Sequence, residues 1–282
     1  MSASLVSTAW LAARIGDAEV LAFDVTKYLP DDPRDAEALF VAAHLPGARR
    51  FDVDRIADTE TDLPHMVPPP GRFARMAGAL GISNRHFVVF YDQTGITSAV
   101  RGWWMMGLFG HDRAAVLDGG LPKWRAEGRE VVSGRPEPAT PAAFRPDYRA
   151  TWVRGIGDVL ANIGLGRELV VDVRSAGRFA GTAPEPRPNM RGGHVPGSVN
   201  VPYSDLLAPD GTLLAPDALR ERLARAGVDG SRPVVTCCGT GMTACVANFA
   251  MVQAGMPIGA VYDGSWAEWG GRPDTPIVTG PA

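Results

Sequence analysis

The sequence repeats itself, and that repetition limits the folds open to it more than any other feature. FDVTKYL (23–29), HLPGARRFDVD (44–54), FVVFYDQTGITSA (87–99) and VLDGGLPKW (116–124) are followed, in the same order, by VDVRSAGRF (171–179), HVPGSVNVP (194–202), PVVTCCGTGMTA (233–244) and VYDGSWAEW (261–269). The offsets are nearly constant: 148 residues from Asp24 to Asp172, 150 from His44 to His194, 146 from Asp92 to Cys238 and 145 from Asp118 to Asp263. Solenoid units run about 20–50 residues, so a period of this length is a duplicated domain. The sequence divides into an N-terminal domain (1–132), a linker (133–150, SGRPEPATPAAFRPDYRA) with four prolines and no apolar periodicity, and a C-terminal domain (151–282).

Each copy alternates two kinds of segment. LVVDV (169–173), SVNV (198–201) and PVVTC (233–237) are short apolar runs of the kind buried in parallel sheets. Between them, 217–227 carries Leu219, Leu223 and Ala226 at helical spacing with Gly227 as its stop, and 242–255 again ends in glycine. The expected fold class is α/β: two tandem domains, each a mainly parallel sheet flanked by helices. Twenty-eight basic residues against 31 acidic ones give a net charge of −3 and no basic excess for nucleic acid. No apolar stretch approaches the roughly 18 residues of a membrane span. The start, MSASLVSTAWLAARIGDAEVLAFDV, has no basic segment leading into an apolar one, so a cytoplasmic protein is expected.

The chemistry concentrates in TCCGTGMTA. A strand ends at Cys237, a glycine-containing loop follows, and a helix starts near Thr243. Open α/β sheets bind ligands beyond the carboxyl ends of their strands. Glycines there let successive N–H groups turn inward as an anion nest at a helix N-terminus. A cysteine at the mouth of such a nest is expected to have a lowered pKa and to act as a nucleophile. The matching loop of the first copy, DQTGITSA (92–99), holds Asp92 in place of Cys238, so one copy reads as competent and the other as silent. Cys237 should face the sheet and Cys245 the core. Adjacent cysteines point opposite ways along a strand and there is no C-x-x-C pair, so no metal site is expected. A phosphatase loop needs an arginine six residues after its cysteine, where this sequence has Ala244.

The duplication, the silent first loop and the Cys238 loop together resemble the rhodanese superfamily of tandem-domain sulfurtransferases, over essentially the whole chain. Within it, thiosulfate enzymes typically carry Cys-Arg-Lys-Gly-x-Thr and mercaptopyruvate enzymes Cys-Gly-Ser-Gly-x-Thr. Cys238-Gly239-Thr240-Gly241-Met242-Thr243 is similar to the second, with Thr240 for the serine. The resemblance implies that Gly239, Gly241, Met242 and Thr243 line the substrate site. It also implies that Arg178 and Arg187, in GRFAGTAPEPRPNMRGGHVPGS (177–198), hold the donor's carboxylate and keto oxygen. Asp54 and His65 match positions proposed to form a relay with the loop hydroxyl, here Thr240. Arg191 has no matched role and reads as solvated or as rim charge. His44 and His194, in matching H-x-P-G turns of both copies, read as structural, and Trp266 and Trp269 as packing beside the site.

The implied reaction moves the sulfur of 3-mercaptopyruvate through a Cys238 persulfide to cyanide, a small thiol or thioredoxin, releasing pyruvate and needing no cofactor. No nucleic-acid or membrane partner is expected. Thiosulfate as the donor is the alternative within the enzyme class. A non-catalytic sulfur carrier or binding module is the alternative outside it.

Overall fold

The computed structural model describes residues 4–281. The chain forms two compact units. One comprises the residues up to Thr59, Val67–Arg149 and Pro209–Leu213; the other comprises Glu60–Met66, Ala150–Ala208 and the residues from Leu214 on. Each repeat therefore supplies most of one unit and a short segment of the other.

The first unit is built on β1 (Leu5–Val6), β2 (Val20–Asp24), β3 (Arg49–Arg50), β4 (Phe87–Tyr91) and β5 (Ala114–Leu117). The second is built on β6 (Val153–Arg154), β7 (Leu169–Asp172), β8 (Val199–Asn200), β9 (Val234–Cys237) and β10 (Ala260–Tyr262). The sheet orders are β1-β5-β4-β2-β3 and β6-β10-β9-β7-β8, with every pairing parallel. The duplication read from the sequence is thus a duplication of topology. The α/β expectation holds strand by strand.

The central strands explain themselves. FVVFY and VVTC are covered on both faces, so they are mostly apolar runs instead of alternating ones, with the buried Thr236 hydroxyl hydrogen-bonded to Asn248 and Ala260 O. The helices that follow them, Ala99–Leu108 and Ala244–Gln253, are buried almost throughout and mostly apolar, with Arg101 in the first and Asn248 in the second as buried polar exceptions. The loops after β4 and β9 therefore sit at the carboxyl ends of the middle strands, where a parallel sheet presents its ligand sites.

The paired histidines are structural. His44 Nδ1 lies 2.9 Å from Phe40 O, and His194 Nδ1 lies 2.9 Å from Phe179 O. Each ring stacks on the same phenylalanine, at 4.3 and 3.7 Å between centroids. Each backbone also pairs antiparallel with a distant residue, His44 with Val132 and His194 with Val278.

The proline-rich stretch departs from its expected character. It has almost no regular structure, yet 133–149 belongs to the first unit and packs on it. Ala142 N donates to Gly78 O, Asp147 N to Phe109 O and Arg149 N to Leu108 O. Phe144 is buried edge-on against Phe73, 5.5 Å between centroids. The prolines remove donors that an extended strap does not need, while its single phenylalanine anchors it. Phe144→Ala should cost about 3 kcal/mol. Thermal denaturation will show it as a lowered midpoint, and an unchanged midpoint would mean that the strap is a passive connector.

Candidate active site

The loop after β9 is organised by where its carbonyls go. Cys238 O accepts from Trp266 N at 3.0 Å, and Gly239 O accepts from Ala267 N at 2.8 Å. Gly241 O accepts from Cys245 Sγ, Met242 O from Cys245 N and Thr243 O from Val246 N. A trans peptide is planar, with its C=O and the next N–H antiparallel. Committing these carbonyls to the two flanking helices therefore turns the N–H groups of Gly239, Thr240, Met242, Thr243 and Ala244 the opposite way. Gly241, at φ +74°, makes the turn that only a residue without a Cβ takes easily.

Cys238 heads this loop with 2% of its surface exposed. Its N–H donates to Ser265 Oγ at 3.2 Å, and Ser265 Oγ donates to Tyr262 O at 2.7 Å. Ser265 holds this place with a left-handed backbone, φ +49°, which a side chain adopts only at a cost. Its counterpart in the first unit is Gly120, also left-handed, where a Cβ would stand 2.2 Å from Gly95 O. The serine is thus particular to the cysteine-bearing copy.

The corresponding loop of the first unit shows what this backbone frame binds. Asp92 is fully buried. One carboxylate oxygen accepts from Ser98 N at 2.6 Å and Ala99 N at 3.1 Å, the other from Thr94 N and Thr94 Oγ1 at 2.8 and 2.9 Å. Burial raises the Asp92 pKa, and these hydrogen bonds only partly oppose it. In this copy an acidic side chain of the loop itself takes the donors at the helix start.

Thr240 is buried, and its Oγ1 lies 2.8 Å from His65 Nδ1. His65 belongs to the Glu60–Met66 segment of the second unit and is itself left-handed, φ +63°. The structure thus brings together two of the three residues matched to the relay. Asp54 lies in the first unit, on the short helix Val53–Ile56, with its carboxylate on Lys27 Nζ at 2.5 Å.

Arg178, on the helix Ala176–Ala180, reaches the loop: a Cβ at Gly239 would stand 3.3 Å from Arg178 Nη2. Its Nη2 and Nε donate to Glu185 Oε2 at 2.5 and 3.1 Å. Glu185 Oε1 accepts from Arg174 Nη1 at 2.7 Å. Arg174 in turn holds Asp172 through Nε and Nη2, donates to Gly193 O, and lies 4.0 Å over the Trp266 ring. Asp172, Arg174, Glu185 and Arg178 thus form a chain of two positive and two negative groups, closed to water at its inner end. Breaking such a buried pair typically costs about 3–5 kcal/mol. Arg187 sits half-buried two residues beyond Glu185.

Arg191 is not the solvated side chain expected. It donates to the carbonyls of Trp269, Gly270, Arg272 and Thr275 and to Thr275 Oγ1. It ties the segment after Trp269 in place by satisfying a cluster of carbonyls. Trp266 and Trp269 are buried as expected, and their indole N–H groups donate to Arg191 O and Pro276 O. Arg174, Glu185, Ser265 and Lys27 escaped the sequence reading. For Glu185 the one available signal was an acid placed between two arginines.

Cys237 lies in the apolar core with Val235, Tyr262 and Trp266, and Cys245 is fully buried. Burial, reinforced by the Asp172 carboxylate and only partly offset by Arg174, pushes the Cys237 thiol well up. The sign follows: with its folded pKa raised, Cys237 adds stability below the ordinary thiol pKa of about 8.5 and loses it as pH rises beyond. Iodoacetamide followed by peptide mass mapping should leave Cys237 unlabelled in the native protein up to about pH 9 and label it after denaturation. Labelling of Cys237 in the native protein would contradict its assignment to the core.

Rhodanese-like domains match residues 7–127 and 156–272, so the chain belongs to the rhodanese-like family. It is 40% identical to the 3-mercaptopyruvate sulfurtransferase of Homo sapiens over 284 residues, covering 99% of this chain and 95% of that protein. It is 39% identical to the thiosulfate sulfurtransferase of Rattus norvegicus over 288 residues, 98% and 96% of the two chains. The crystal structure of SseA, a 3-mercaptopyruvate sulfotransferase of Escherichia coli, superposes with a TM-score of 0.85 at 31% identity, covering 94% of this chain and 99% of that one. No helix among the described residues is long and apolar enough to cross a membrane.

Proposed function

We propose that this protein is a sulfurtransferase whose donor is 3-mercaptopyruvate. The observation that carries the reading is the grouping of Cys238, the His65–Thr240 pair and Arg178 around one loop whose N–H groups are turned from its carbonyl partners. The names of its relatives support the class of reaction but divide on the donor, at 40% and 39% identity. The donor is therefore argued from the loop. A thiosulfate-type loop places arginine where this chain has Gly239. Here even a Cβ at that position would press on Arg178 Nη2 at 3.3 Å. Gly239 thus leaves the guanidinium room beside the cysteine, which suits a donor with a carboxylate to grip.

The reaction runs in two halves. Arg178 and Arg187 hold the donor's carboxylate and keto oxygen. The Cys238 thiolate attacks the donor sulfur and forms the Sγ–S bond. The S–C3 bond breaks with its electron pair on carbon, giving the enolate of pyruvate, which takes up a proton and leaves. The loop N–H groups from Gly239 to Thr243 hold the charge of the terminal sulfur as an oxyanion hole holds oxygen. His65, oriented on Thr240 Oγ1, manages the proton, with Asp54 as the proposed third member of the relay. A thiophilic acceptor (cyanide, a small thiol or thioredoxin) then takes the terminal sulfur and restores the thiolate. The first unit is catalytically silent in this scheme. All three cysteines are free thiols, which suits a reducing compartment such as the cytoplasm.

Steady-state turnover with cyanide as acceptor tests the reading. Mercaptopyruvate should give the higher kcat/KM, Cys238→Ser should abolish turnover, and mass spectrometry should find one added sulfur on Cys238 after donor alone. A preference for thiosulfate would overturn the donor assignment. Stoichiometric loading without turnover would make the protein a carrier. His65→Gln should lower kcat on the order of a hundredfold if it moves the proton, and near-normal kcat would remove it from the mechanism.

A further inference from the structure

Glu185 has a side chain only 3% exposed, in a segment where Gly181, Thr182, Pro184, Pro188 and Asn189 face solvent. A carboxylate is withdrawn from water in this way only when charged partners replace the water. Both of its oxygens have one: Oε1 faces Arg174 Nη1, and Oε2 faces the Nε–Nη2 edge of Arg178. The two arginines differ in freedom. Arg174 is 1% exposed and fixed by Asp172, Gly193 O and the Trp266 ring. Arg178 is 19% exposed, on a five-residue helix, and among the described residues its guanidinium is held by Glu185.

An arginine with this exposure ordinarily samples many rotamers, and a ligand that needs one of them must bear the ordering cost. Glu185 removes that freedom in advance. By holding the Nε–Nη2 edge it fixes the plane of the guanidinium beside Gly239 and leaves the Nη1 end for a ligand. A planar fork grips a carboxylate well only when its plane is set.

We propose that Glu185 is a positioning residue for the sulfur donor: it transmits the rigidity of the buried Arg174 to Arg178 and so presets the guanidinium for a 2-oxo acid carboxylate. The inference rests on the reading of Arg178 as a donor-binding group. The role predicts an effect on donor affinity, with the sulfur-transfer step largely spared.

The test compares Glu185→Gln, Glu185→Asp, Arg178→Ala and the Arg178→Ala/Glu185→Gln double variant. KM and kcat are measured with 3-mercaptopyruvate and with thiosulfate, together with the thermal midpoint. Glu185→Gln should raise KM for mercaptopyruvate about tenfold, as expected for losing a charge-assisted hydrogen bond, with kcat changed much less. It should add nothing further to KM in the Arg178→Ala background. Should Glu185→Gln fail to fold, Glu185→Asp decides. It keeps the charge but is one methylene too short to span both arginines, so it should fold and still raise KM. Unchanged KM in the folded Glu185 variants, or an effect that persists undiminished without Arg178, overturns the proposal. So does a loss of midpoint with kcat falling equally for both donors, which is the mark of a merely structural acid. If Arg178→Ala itself leaves KM unchanged, the donor-clamp reading fails first and takes this inference with it.

Discussion

Peptide planes are rigid, and in the loop after β9 that rigidity decides what the backbone can offer. Five carbonyls there are committed to partners in the helices Ser265–Trp269 and Ala244–Gln253. Their peptide hydrogens have no choice but to face the other way. The burial of Trp266, the left-handed Ser265 and the turn at Gly241 all serve to keep those carbonyls where they are. The first unit applies the same frame to a different end, because its donors close on the carboxylate of Asp92. One backbone solution thus yields a buried structural anion in one copy and a cysteine-headed loop in the other.

The second organising element is electrostatic. A parallel sheet ends in unpaired backbone groups, and in the second unit Asp172, the last residue of β7, takes Arg174 against this edge. From Arg174 the charge alternates outward through Glu185 to Arg178. Equal numbers of positive and negative groups let the chain lie buried without a net charge to solvate. The only member with appreciable exposure is the one beside the cysteine loop.

Much of this was legible in the sequence, for identifiable reasons. The repeat was visible because turns and strand ends need particular residues, so His44 and His194, or Asp24 and Asp172, recur at matching places. A cysteine at a strand end is by itself ordinarily a small buried hydrophobe; the Cys238 loop is legible because glycines follow it and the other copy repeats the frame with Asp92. The residues that escaped were those whose meaning depends on burial. The only local mark of Glu185 is its place between Arg178 and Arg187, and its burial depends on partners from the helix Ala176–Ala180 and from the turn after β7. Arg191 escapes for the same reason: with no matched role it reads as solvated or as rim charge, and only the folded chain brings four carbonyls to it. The proline-rich strap was misread because lack of periodicity shows lack of helix and strand, not lack of contact; Phe144 was the clue.

The placing of two short segments has a consequence for how the chain can be divided. The unit that contains Cys238 includes residues 60–66, which lie in the first repeat, and the unit that contains Asp92 includes residues 209–213, which lie in the second. Neither half of the coding sequence therefore specifies a whole unit. A copy cut away at the proline-rich strap would take its strands and its loop but leave behind part of its own body, His65 included. The Asp92-bearing half of the chain therefore carries residues that belong to the Cys238-bearing unit.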